Sequence, residues 1–193
     1  VPLPPDFPRH LGALIEPLAV AVHSIRRLGK VEGQRLLVLG AGPIGNLVGQ
    51  TARAMGASGV AITDLNPFRV DLAGQCGLTA FNAGEPDHRE RLVEFFGPDG
   101  PDGILECVGA QSTVEQAIER ARKGTRIVVV GVYGEKPRVD MGLVQDCELE
   151  LVGTLMYRRE DYVGAIELVR QGLICLDPLI THRFKLAEYD RAY

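Results

Sequence analysis

The chain has 193 residues, a formal net charge of −4 at pH 7 and four cysteines. That length suffices for one large domain that buries roughly 70% of its unfolded surface and needs no metal or disulfide staple to fold. Acidic and basic residues are mixed along the sequence, which excludes the basic stripe of a nucleic-acid-binding protein. Cys76, Cys107, Cys147 and Cys175 are widely spaced, without the pairs of a zinc finger, and this points to a reduced, cytoplasmic setting. The first eight residues hold four prolines and read as an extended leader rather than a signal peptide. Leu11 to Ile25, the longest apolar stretch, is interrupted by Glu16, Pro17 and His23 and falls short of the roughly 20 residues of a membrane span.

Taken in chain order, Leu11 to Leu28 has helical spacing, with Arg26 and Arg27 near its end and Gly29 beyond it. A strand–helix rhythm follows. The predicted strands are Arg35 to Leu39, Val60 to Thr63, Thr79 to Asn82, Gly103 to Cys107, Arg126 to Gly131 and Glu148 to Leu155. The predicted helices between and after them are Asn46 to Met55, Asn66 to Cys76, Asp87 to Phe96, Ser112 to Arg122 and Asp161 to Gln171. Parallel neighbours need crossover connections, so six strands joined by helices imply an α/β fold with a doubly wound, six-stranded parallel sheet. Leu179 to Phe184 reads as a further strand, and Leu186 to Tyr193 as a helix cut short by the chain end. The expected organisation is a linker and entry helix over 1–30, a Rossmann domain over 31–176, and over 177–193 the start of a return to a second domain.

The most informative stretch is Gly40-Ala41-Gly42-Pro43-Ile44-Gly45, a Gly-x-Gly-x-x-Gly turn that leaves an apolar strand and opens a helix. Asp64 follows at the end of the next strand. This is the dinucleotide-binding fingerprint. Gly40 permits the tight turn, Gly42 leaves room for a pyrophosphate, and Gly45 lets the helix pack closely on the strand. Pro43 suits the first helical turn, where its missing N–H has no intrahelical partner. Asp64 can accept from both hydroxyls of the adenosine ribose and repels a 2′-phosphate, which favours NAD over NADP. Arg69, five residues on, flanks the ribose or meets such a phosphate. The alternative is a set of turn glycines with Asp64 as a helix-capping acid.

Several motifs resemble the medium-chain zinc alcohol dehydrogenases, and in particular their polyol branch, typified by sorbitol (iditol) dehydrogenase. They are Gly12 to Val20 with its Leu-Ile-Glu-Pro-Leu core, the glycine turn, Thr63-Asp64-Leu65, Glu106-Cys107-Val108-Gly109, Val130-Gly131-Val132, Gly153 to Tyr157 and Leu179 to His182. The resemblance spans nearly the whole chain. It implies that Gly40, Gly42, Pro43, Ile44 and Gly45 hold the pyrophosphate and that Asp64 and Arg69 hold the ribose. Cys107 and Val108 then join the cofactor contacts, and Val130, Gly131, Val132, Thr154 and Leu155 line the nicotinamide pocket. It further implies that Glu16 stands at a catalytic zinc, directly or through its water, and that Tyr157 contacts an alcohol or polyol substrate.

Each of these residues also has an ordinary reading: Glu16 as a helix N-terminal acid, Tyr157 as a half-buried aromatic, and the apolar members as core. Cys107 suits a small buried residue better than a nucleophile, and His23 and His182 suit structural or exposed histidines. The polyol branch typically has an arginine where Met156 stands. The cysteine and the His-Glu pair that complete the family's zinc site precede the matched region. The resemblance therefore implies a coenzyme-binding domain that binds NAD without turnover by itself. A non-catalytic NAD(H) sensor and a zinc-free quinone reductase of the same superfamily are the alternatives. The strand Glu148 to Leu155 would leave an apolar sheet edge, which implies a homo-oligomer.

Overall fold

A computed structural model describes residues 1–193. Its six strands are β1 (Arg35–Leu39), β2 (Gly59–Asp64), β3 (Thr79–Asn82), β4 (Gly103–Glu106), β5 (Arg126–Val129) and β6 (Glu150–Gly153). They form one all-parallel sheet in the order β3-β2-β1-β4-β5-β6. The helices are α1 (Ile15–Leu28), α2 (Pro43–Ala54), α3 (Pro67–Gln75), α4 (His88–Phe96), α5 (Gln111–Arg120), α6 (Met141–Asp146), α7 (Arg159–Arg170) and the short α8 (Tyr189–Ala192).

Strand side chains alternate between two cores, as the two-residue period of a pleated strand requires. Leu36, Val38, Val60, Ile62, Leu105 and Val128 belong to a core shared with α1, α2 and α7. Leu37, Leu39, Ala61, Ile104 and Ile127 face the other way, onto α4 and α5. Helices on both faces are what a parallel sheet demands, since its strands are apolar throughout. The sheet is therefore the expected doubly wound Rossmann arrangement.

Asp161, at the start of α7, is 1% exposed. It accepts from Arg26 at 2.5 Å, lies 2.9 Å from His23 Nδ1 and receives the Arg158 N–H at 2.6 Å. This clasp ties α7 to α1 and gives His23 its structural place.

Three local expectations differ from the structure. Leu179 to Phe184 is not a strand: Asp177–Leu179 forms a 3-10 turn and the rest is irregular. The alternating pattern there finds no strand to pair with, and strand propensity without a partner is weak. The proline-rich leader is not free, because Phe7 is buried among Leu11, Ile15 and Leu176, and its N–H closes a turn on the Pro4 carbonyl. The entry helix is also divided, with a 3-10 segment over Arg9–Leu14 before α1 begins.

Candidate functional site

The strand order reverses between β1 and β4. A crevice opens outside their carboxyl ends, where open α/β sheets bind ligands. Gly40 leaves β1 at φ +98°, and its N–H still pairs with the Thr63 carbonyl of β2 at 2.8 Å. Gly42 caps α2 with extended backbone, φ −61° and ψ 176°. The first backbone bond of α2 runs from the Asn46 N–H to the Gly42 carbonyl at 2.9 Å. The N–H groups of Gly42, Ile44 and Gly45 have no acceptor within the chain. A helix start with free donors and a positive dipole end suits a phosphate.

The space around this turn differs from one glycine to the next. A β-carbon on Gly45 would overlap the Gly40 carbonyl oxygen and sit 3.0 Å from its carbon, so α2 lies hard against the end of β1. A β-carbon on Gly42 would meet nothing within 4 Å and point into open space. The residues present therefore fit a dinucleotide: open room lies directly before unpaired donors.

Asp64 ends β2 beside the turn. Its Oδ2 accepts the Ala41 N–H at 2.8 Å and its Oδ1 accepts the Asn66 N–H at 2.9 Å. Arg69 Nη1 stands 3.6 Å from Oδ2. A cleft of about 420 Å³ opens here, lined by Gly40, Asp64, Leu65, Arg69, Val108 and Gln116 among others. Asp64 and Arg69 stand side by side in this cleft, and Val108, half exposed, also lines it.

Cys107 and Val108 follow β4 directly, so they meet the glycine turn. The Gly45 β-carbon position lies 3.4 Å from Cys107 Cβ. Burial and then the Glu106 carboxylate push the Cys107 thiol far above its ordinary pKa, which suits packing rather than nucleophilic attack. Val130 and Gly131 extend β5, both donating to the Glu106 carbonyl, at 2.8 and 2.9 Å. Val132 beyond them is 81% exposed. Thr154 continues β6 through its N–H to the Val129 carbonyl at 3.1 Å, and its buried hydroxyl has no partner. Leu155 is exposed, and Met156, in the arginine position, adopts φ +56°.

Glu16 is exposed in the first turn of α1. Tyr157 lies against it and packs edge-on to Tyr162 at 4.9 Å between ring centres. Tyr162, followed by burial and the Glu16 carboxylate, pushes the Tyr157 phenol up to about 12. Glu16 and Tyr157 are thus brought together from opposite ends of the sequence. No group of three or more His, Cys, Asp or Glu side chains assembles in this chain, so its own residues do not make a zinc site. His182 is exposed and stacks on Phe184.

Sequence reasoning passed over Glu106. It is fully buried at the end of β4, and it holds Val108, Gly109, Thr113 and Tyr133 together. An acid inside the apolar run Ile104-Leu105-Glu106-Cys107 was the available signal.

A family model described as zinc-binding dehydrogenase matches residues 43–171. D-xylulose reductase of Saccharomyces cerevisiae is 36% identical over 99% of this chain and 55% of its own length. Human sorbitol dehydrogenase is 34% identical over 99% of this chain and 54% of its own length. A crystal structure of a zinc-binding dehydrogenase from Sinorhizobium meliloti bound to NADP is 30% identical. It superposes with a TM-score of 0.86 over 98% of this chain and 57% of that one. The chain spans about half the length of the relatives it matches, and the half it spans is the coenzyme-binding part. The chain belongs to the zinc-binding dehydrogenase family.

Proposed function

We propose that this chain is the NAD-binding part of a zinc-dependent dehydrogenase that oxidises a secondary alcohol or polyol. The observation that carries the reading is the unobstructed N-terminus of α2, with its unpaired donors and with Asp64 beside it. Gly40, Gly42, Pro43, Ile44 and Gly45 would hold the pyrophosphate. Asp64 would accept from the adenosine ribose, with Arg69 alongside, and Cys107 and Val108 would border that path. Val130, Gly131, Val132, Thr154 and Leu155 would line the nicotinamide end. The bound nicotinamide supplies the hydride chemistry, and the protein supplies position and field.

The relatives' names, D-xylulose reductase and sorbitol dehydrogenase, support a polyol substrate. Met156 leaves polyol selectivity to be set by other residues. Glu16 and Tyr157 would meet a substrate or a metal's water, and their closeness to each other supports that reading. Zinc binding would need ligands from outside these 193 residues, so the chain alone should bind cofactor without turnover. We propose a cytoplasmic homo-oligomer, paired through the open edge of β6.

Calorimetric titration with NADH and NADPH tests the reading. Asp64 predicts saturable NADH binding and at least tenfold weaker NADPH binding, about 1.4 kcal/mol. The NADP-bound S. meliloti relative makes this selectivity the point at risk. Equal affinities would remove the NAD assignment, and no binding of either would remove the cofactor role.

A further inference from the structure

Glu106 is 0% exposed, the most deeply buried acid in the chain. Its Oε1 accepts the Val108 and Gly109 N–H groups, both at 2.9 Å, and the Thr113 hydroxyl at 2.7 Å. Its Oε2 accepts the Tyr133 hydroxyl at 3.0 Å. Four donors converge on the two oxygens, and no Lys, Arg or His pairs with them. Burial, with the Glu106 charge adding to it, drives the Tyr133 phenol far above its ordinary pKa.

Neutral donors satisfy the carboxylate's lone pairs but leave its net charge uncancelled in a low-dielectric interior. That charge is hydrogen-bonded directly to Val108 and Thr113, which line the crevice. A β-carbon on Gly131 would fall 2.7 Å from Oε2, and one on Gly109 would fall 2.7 Å from the Val132 carbonyl carbon. Gly40 approaches Val108 on the other side, its β-carbon position 2.6 Å from Val108 Cγ2. Glu106 therefore pins the segment after β4, which the cofactor reading sets beside the ribose, and lies under the segment after β5, which that reading assigns to the nicotinamide end.

We infer that Glu106 is a positioning residue whose buried negative charge biases the crevice toward oxidised over reduced nicotinamide dinucleotide. This rests on the cofactor reading above. Oxidised and reduced cofactor differ by one hydride, and the oxidised ring carries a positive charge that the reduced ring lacks. A purely structural clamp would change the affinity for both forms equally. A field from Glu106 changes their ratio.

The test is calorimetric measurement of both dissociation constants, Kd(NAD⁺) and Kd(NADH), for the unaltered chain, Glu106→Gln and Tyr133→Phe at one pH and ionic strength. Glutamine keeps the size and most of the hydrogen bonds but loses the charge. It should raise Kd(NAD⁺)/Kd(NADH) by roughly threefold or more, the effect of a unit charge within about 25 Å of the ring in a medium of effective dielectric constant about 20. Tyr133→Phe keeps the charge and removes one dipole that offsets it, so the ratio should move the opposite way. Should Glu106→Gln fail to fold, the direction of the Tyr133→Phe change decides. Ratios that stay fixed while both forms still bind overturn the inference and leave the cofactor reading standing. Absence of saturable binding to the unaltered chain overturns both.

Discussion

Gly42 and Gly45 lie three residues apart in the same turn, yet alanine should have opposite consequences at the two. At Gly45 the added methyl overlaps the Gly40 carbonyl oxygen and sits 3.0 Å from its carbon. Both obstacles are backbone atoms at the end of a central strand, so no side chain can rotate away. Overpacking of this kind costs about 1–3 kcal/mol, and a backbone-on-backbone clash belongs at the upper end. At about 2–4 °C per kcal/mol for a chain of this size, Gly45→Ala should melt about 6–12 °C lower.

At Gly42 the backbone already has φ −61° and nothing lies within 4 Å of the new methyl. Alanine gains about 0.4–1 kcal/mol by restricting the unfolded chain. It loses a comparable amount, about 0.5–1 kcal/mol, as a poor helix cap. The melting temperature should therefore stay within about 2 °C. The methyl nevertheless occupies the approach to the α2 donors, so NADH affinity should fall at least tenfold, about 1.4 kcal/mol. Differential scanning calorimetry and NADH titration of both variants read the two quantities separately. Undiminished NADH binding by Gly42→Ala, or an unchanged melting temperature for Gly45→Ala, would refute the reasoning.

Asp161→Ala should strand His23, Arg26 and the Arg158 N–H and cost about 2–3 kcal/mol in urea unfolding, below the full penalty of a broken buried pair because Arg26 is 42% exposed. A loss under 0.5 kcal/mol would show that α7 is held by packing alone. Stability should decline as pH rises above about 9. The Cys76 thiol, whose ordinary value is 9.0, is pushed up to about 11 by burial, so at alkaline pH the unfolded chain loses a proton that the folded chain keeps. Between those values Cys76 contributes up to about −1.4 kcal/mol per pH unit, and the raised Cys107 thiol and Tyr133 phenol add to the decline, so Cys76→Ala should make the slope shallower without abolishing it in pH-dependent denaturation. A disulfide reagent at pH 8 should label the exposed Cys175 first and Cys107 and Cys76 last, as quantified by peptide mass spectrometry. Early labelling of Cys107 would contradict its raised pKa.

The sheet was legible because each strand is a short apolar run closed by turn residues, and the glycine turn fixed where its crevice would open. What escaped the sequence depends on partners distant along the chain. Glu106 meets Tyr133, 27 residues away, and no local pattern reports that contact. Helix α6 is only six residues long, less than two turns, so periodicity cannot reveal it; its signal is the Asp140 side chain accepting the Leu143 N–H at 3.0 Å. The run from Leu179 to Phe184 carried a strand's composition with no open edge beside it. Glu16 and Tyr157 were singled out separately, yet their adjacency follows from the packing of α1 on α7, which neither segment encodes alone.

That packing also brings distant parts of the backbone side by side. His10 Nε2 lies 3.2 Å from Asp177 Oδ1, and Phe7 and Leu176 share one core. Polypeptide arriving before residue 10 and polypeptide leaving after residue 177 would therefore cross the surface at a single spot. His10 and Asp177 thus tie the two passages of the backbone to each other at the surface.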